Sequence, residues 1–267
     1  YSIYSLNFFA EGAEGIKLHL VFSELLPPLH NIYITGYDGN DELIPISVRE
    51  EDIWTPLIFS SYITLFYVKP ENSFRNSIPF TIKEYIYIYK DPIHELSKLG
   101  TCYEDVMCHE PWRTLSRGVM GIVRISNPNV IFCTGSLLND GKEEQISQLV
   151  LTAFHCVDNQ ITANNLDFIW MYQSVYCNGT VPDIAQVPKT TGGADFLVGS
   201  DTYGGTDMSL LRMKNTPPND VVELGFTNVI IPMGVDVTTI HHPGRSYKRV
   251  SFGNKTNTGS PMSQGIN

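Results

Sequence analysis

The chain has 267 residues, 42% of them hydrophobic and 17% charged, with a formal net charge of −10 at pH 7. That length allows one large domain or two ordinary ones, each with its own core, and the composition is not that of a disordered chain. The negative balance argues against a nucleic-acid binder, which needs a basic field to meet the phosphates, and no apolar run is long enough to span a bilayer.

No initiator Met and no charged-then-apolar leader precede Tyr1, so the start reads as a mature or cut end. Residues 16–22 alternate apolar and polar, as a half-buried strand does. Residues 31–37 form a second strand, followed by a turn at Asp38-Gly39-Asn40-Asp41. Residues 62–68 and 80–89 supply two more, punctuated by Pro27, Pro28, Pro56, Pro70 and Pro79. Helical periodicity is scarce, and residues 1–97 read as a small antiparallel β-sandwich. The polar connector at residues 91–100 marks a boundary, so that a second domain runs from 98 to 267. There, strands are expected at 118–125, 130–138, 148–153, 168–176, 208–213 and 235–241, separated by Gly- and Asn-rich turns. The whole is predicted to be all-β.

The five cysteines, Cys102, Cys108, Cys133, Cys156 and Cys177, all lie beyond the connector. With no CxxC pair and no HxxxH, the metal reading fails on spacing, and structural disulfides in an oxidising compartment are expected. The odd count leaves one cysteine without a partner in this chain.

Chemistry concentrates in Leu149-Val150-Leu151-Thr152-Ala153-Phe154-His155-Cys156. A short apolar run delivers an imidazole to a strand end, and the Cys beside it offers a bridge to a neighbouring strand such as the one bearing Cys133. A general base needs that kind of fixed position. An imidazole acting as base also needs an acid to orient it and to stabilise its charged form. Asp207, in Gly204-Gly205-Thr206-Asp207-Met208-Ser209-Leu210-Leu211, follows a flexible Gly pair and opens an apolar strand; Asp195 and Asp201 are rivals without that pattern. His241 and His242 cannot chelate together if both lie on one strand, because neighbours point to opposite faces. Trp170 and Tyr172 are read as core. Asn178-Gly179-Thr180 and Asn254-Lys255-Thr256 fit the glycosylation sequon, and Glu50-Glu51 reads as a solvated face.

Together these pieces resemble the trypsin-like serine proteases, and within them the bacterial lysyl endopeptidase branch. Cys102-Tyr103-Glu104-Asp105-Val106-Met107-Cys108 resembles the paired cysteines near that branch's mature start. Trp170-Met171-Tyr172-Gln173-Ser174 with Cys177 resembles a strand bearing a disulfide partner. His241-His242-Pro243 followed by Lys248-Arg249-Val250-Ser251 resembles its HHP…KR(I/V)S segment. The resemblance spans roughly residues 100–253.

It implies a double β-barrel, truncated here, preceded by an amino-terminal sandwich that serves as a pro-region. His155 would be the general base and Asp207 its orienting acid. The disulfides would be Cys133–Cys156 and Cys108–Cys177, and Cys102 would pair with a cysteine beyond the nucleophile. The family's Gly-x-Ser-Gly-Ser-Pro-like loop, whose backbone N–H groups form the oxyanion hole, does not occur. Thr258-Gly259-Ser260-Pro261 looks like it but comes too soon after Ser251. The expectation is therefore that the chain stops just short of its Ser, with Ser260 as nucleophile and natural loss of the Ser as the alternatives.

The reading is a secreted serine endopeptidase, given as a precursor or fragment, that hydrolyses peptide bonds by a Ser-His-Asp mechanism. It needs neither cofactor nor metal and is inactive as this chain alone. Its partners would be protein or peptide substrates and its own pro-region, which Lys98 could release as a processing point, and not nucleic acid or a membrane. The competing readings are a non-catalytic protease-like binding module and a secreted structural or adhesion protein built from two β domains.

Overall fold

The computed structural model describes residues 1–36, 43–73, 77–88, 102–126, 129–142, 145–201 and 205–256. The expected turn at 38–41, the connector at 91–100 with Lys98, Gly204 and Ser260 lie outside these residues. The chain divides into two compact units, Tyr1–Asp91 with Ile125–Val130, and Pro92–Arg124 with Ile131–Asn267.

The first unit holds β1 (Ser2–Phe9), β2 (Gly15–Phe22), β3 (Asn31–Gly36), β4 (Ile44–Ile46), β5 (Asp52–Trp54), β6 (Tyr62–Lys69) and β7 (Phe80–Ile88). They form two antiparallel sheets, ordered β1-β6-β3-β4 and β5-β2-β7. Ile16, Leu18, Leu20 and Phe22 of β2 share one core with Ile32 and Ile34 of β3 and with Ile63, Leu65 and Tyr67 of β6. Two sheets closing on one apolar layer make a sandwich.

The expectation for β2 needs correction, because it is buried on both faces. Lys17 is 2% exposed and His19 5%. β2 is the central strand of its sheet, and side chains from the flanking β5 and β7 cover its polar face at His19. His19 lies opposite Trp54 and Glu84 in register, and its ring stacks on Trp54 with centroids 4.5 Å apart. Its Nδ1 meets Glu84 Oε1 at 2.8 Å and its Nε2 meets Asp52. Each nitrogen of this buried ring thus has a carboxylate beside it, and a polar ring left without partners would be costly to bury. The two carboxylates engage opposite edges of the ring, so they do not converge on a point where a metal could sit.

The second unit contributes β8 (Glu104–Asp105), α1 (Glu110–Ser116), most of β9 (Val119–Ser126) and of β10 (Asn129–Leu138), and β11 (Leu149–Thr152). It continues with α2 (Gln160–Ala163), β12 (Asp167–Ile169), β13 (Lys189–Thr190), β14 (Ala194–Ser200), β15 (Met208–Met213), β16 (Asp236–His241) and β17 (Arg249–Asn254). Seven strands form one curled sheet, ordered β13-β12-β9-β10-β11-β15-β14, around Met120, Ile122, Leu137, Val150, Phe168, Trp170, Leu211 and Met213. A second sheet has the order β16-β17-β8. The fold is all-β and trypsin-like, with the half-barrel formed by the curled sheet.

Residues 168–176 are not one strand, as the pattern had led us to expect. β12 ends at Ile169, and Met171 turns at φ 54°. Trp170 and Tyr172 are nonetheless buried, with Trp170 Nε1 donating to Thr190 Oγ1 at 3.0 Å. Burial comes here from the loop folding back over the core, a layout that two-residue spacing does not distinguish from a strand. Trp170→Ala should destabilise the chain by about 3–5 kcal/mol, read from its denaturant midpoint. Trp170→Phe should lose less, mainly the indole hydrogen bond.

Candidate active site

The imidazole is delivered by β11. Thr152 ends the strand, and residues 153–157 turn, closed by hydrogen bonds from the N–H groups of Cys156 and Val157 to the Ala153 carbonyl at 3.1 and 3.2 Å. Two side-chain links hold this turn to β10. Thr152 Oγ1 donates to the Thr134 carbonyl at 2.9 Å, and Cys156 is disulfide-bonded to Cys133. β11 sits between β10 and β15 in the sheet, so the strand carrying Leu210 and Leu211 brings its preceding residue, Asp207, to the same end.

Asp207 lies just before β15 and has φ 49°, a left-handed conformation that Asp tolerates better than most residues. Its N–H donates to the Asp201 carbonyl at 3.3 Å. Gly205 is needed for close approach rather than for flexibility: a Cβ there would lie 2.2 Å from the Asp201 carbonyl oxygen.

This conformation aims both carboxylate oxygens at one residue. Oδ1 accepts the backbone N–H of His155 at 3.0 Å, and Oδ2 meets its Nδ1 at 2.7 Å. A carboxylate only accepts, so Nδ1 carries the hydrogen and the neutral ring keeps its lone pair on Nε2. The His155 side chain is 64% exposed and that of Asp207 is 21% exposed, so the acid is shielded while Nε2 faces outward. Burial works against the Asp207 charge. The hydrogen bonds from His155, its charge when protonated and the Phe154 N–H outweigh that, holding the carboxyl below its ordinary range. Asp195 and Asp201 are exposed and are not bonded to His155.

Cys133, His155 and Cys156 place ligand atoms within 4.8 Å of one another. The two sulfurs are bonded to each other, so they are not thiolate ligands. The second disulfide joins Cys108 to Cys177, and Cys102 is free and exposed. Beside Cys108, the buried Asp105 accepts from Ser174 Oγ at 2.5 Å, from the Asn178 N–H at 2.8 Å and from the Met107 N–H at 2.9 Å. Sequence reasoning missed this anchor, which gathers the ends of the segment that the disulfide closes.

His241 and His242 do not share a strand. His241 ends β16, with Nε2 3.2 Å from Ser251 Oγ, and His242 opens the short helical turn Pro243–Arg245. His242 is buried against Phe132 and Tyr172, and its Nδ1 donates to the Ser246 carbonyl at 3.0 Å. Burial, reinforced by Lys248 and outweighing the Ser246 bond, pushes its pKa down to about 3, so it is a neutral packed residue. Its backbone N–H donates to Thr134 Oγ1 at 3.0 Å, joining the second sheet to the strand behind the His155 turn. The lysine of the same motif is fully buried. Lys248 Nζ donates to the Ser116 carbonyl at 2.7 Å and to Gln173 Oε1 at 3.0 Å, and burial pushes its pKa down to about 7.

Two comparisons bear on this arrangement. The family model described as "Lysyl endopeptidase, C-terminal domain" matches residues 96–266, more than half of the chain. A lysyl endopeptidase from Pseudomonas aeruginosa is 29% identical over 219 residues, which cover 77% of this chain and 46% of that protein. The chain thus spans about half the length of the curated relative it matches. The coverage of the family model establishes the assignment: the chain belongs to the lysyl endopeptidase C-terminal-domain family.

Proposed function

We propose that this chain supplies the general base and its orienting acid to a secreted serine endopeptidase whose nucleophilic Ser is provided from outside the described residues. The observation that carries the reading is the two-point grip of Asp207 on His155, which leaves Nε2 of an oriented imidazole open to a reacting group. Nε2 would take the proton from the Ser hydroxyl as its oxygen attacks the scissile carbonyl carbon. The imidazolium so formed would be stabilised by Asp207 and would then protonate the leaving amine. Two disulfides support folding in an oxidising compartment and hence secretion. Cys102 would pair with a cysteine outside this chain, and the sandwich of the first unit would serve as a pro-region. Substrates are proteins or peptides, and the likeness to the Pseudomonas aeruginosa lysyl endopeptidase supports cleavage at lysine. Among the described residues no helix is long and apolar enough to cross a membrane.

The test is a serine-directed phosphonate applied to the full-length gene product and to the 267-residue chain alone. The full-length protein should label, lose labelling on His155→Ala, and cleave peptides after Lys; the shorter chain should do neither. A full-length protein that stays unlabelled would instead be a non-catalytic protease-like module.

A further inference from the structure

Resting on the base-and-acid reading above, we propose that Ser209 is a positioning residue that sets the distance between the His155 turn and the strand that follows Asp207. Ser209 is fully buried, and its hydroxyl donates to the Val157 carbonyl at 2.7 Å. In the β11–β15 pairing it sits directly opposite Thr152, the last residue before the turn. Val157 is the last residue of the turn. One side chain therefore spans the turn from entry to exit, with its backbone beside Thr152 and its hydroxyl on Val157.

Two other side-chain links on this turn run to β10. Thr152 Oγ1 and the Cys133–Cys156 disulfide both tie it to β10. Neither fixes its height relative to Asp207. The carboxylate must meet two donors of one residue at once, the His155 N–H at 3.0 Å and Nδ1 at 2.7 Å. Such a two-point contact tolerates displacements of only about half an ångström. Asp207 sits two residues ahead of Ser209, and the Ser209–Val157 bond holds the turn to the same short stretch of chain. Removing the hydroxyl leaves the Val157 carbonyl buried without this donor, and the turn relaxes outward to find another.

The test uses Ser209→Ala and Ser209→Thr in two settings. In the full-length enzyme, Ser209→Ala should lower kcat roughly 10- to 100-fold while KM stays within about twofold, because misplacing the base costs the chemical step and not substrate binding. Ser209→Thr keeps the hydroxyl and should recover kcat to within about threefold of the parent. In the 267-residue chain, the Nδ1 proton of His155 should give a low-field proton resonance that Asp207→Ala abolishes. Ser209→Ala should shift or broaden it and Ser209→Thr should leave it in place. A resonance unmoved by Ser209→Ala overturns the proposal, as does a lowered melting midpoint with kcat unchanged, which is what a purely structural hydroxyl would give. If the resonance moves but the full-length protein cleaves nothing, the protease reading fails and the positioning role of Ser209 stands.

Discussion

His155→Ala in the full-length enzyme is expected to lower kcat by on the order of 10⁴- to 10⁶-fold, with KM little changed. On the proposed mechanism, the variant removes the group that would take the Ser proton but leaves Asp207 and the disulfide-held turn in place. Asp207→Asn should cost about 10⁴-fold, and for a different reason. An amide is close to a carboxylate in shape and its oxygen can still accept the His155 N–H. The NH₂ then faces Nδ1, however, and drives the hydrogen to Nε2, where the lone pair is needed. Steady-state kinetics on a lysyl peptide amide would check both. A loss of less than tenfold in either would show that Nε2 is not the proton acceptor.

The second large effect is on stability. Lys248 titrates near 7 in the folded protein because it is fully buried, against an ordinary value of 10.5. Below pH 7 the lysine is charged in both folded and unfolded chains, and the folded chain bears the full burial penalty. Between about 7 and 10.5 the unfolded chain binds one more proton than the folded one, so stability rises with pH across that window. The gain attributable to this group is on the order of 5 kcal/mol over the window. Lys248→Met removes the titration, and with it the donor to Ser116 and Gln173. The stability of the parent relative to the variant should therefore climb steadily from pH 7 to 10, as measured by urea denaturation at each pH. A difference that is flat with pH would mean that Lys248 keeps its ordinary affinity for protons.

The strands that sequence alone located are those whose pattern is local. Residues 208–213 coincide with β15, and 130–138 and 148–153 each lie within a residue or so of β10 and β11, because a run of apolar and β-branched residues between turn residues has few other ways to fold. Where tertiary packing decides, the pattern misleads. β2 alternates but is buried on both faces, because Asp52 and Glu84 reach across from flanking strands to satisfy His19. Trp170 and Tyr172 alternate but lie in a loop, because the core accepts a ring from whichever backbone conformation delivers it. α1, α2 and several short strands, among them β8 and β13, are too brief to leave a period in the sequence.

The same division runs through the candidate site. Composition and motif were enough to single out His155, Asp207 and the five cysteines, because each residue's chemistry is carried by its own side chain and its near neighbours. Three other features depend on residues far apart in the chain: the meeting of both Asp207 oxygens with His155, the Ser209 hydroxyl on Val157 and the burial of Lys248 against Ser116. Sequence names the groups that can do the chemistry. Only the folded chain decides which of them meet, because a hydrogen bond across 52 residues is set by the sheet that joins its ends.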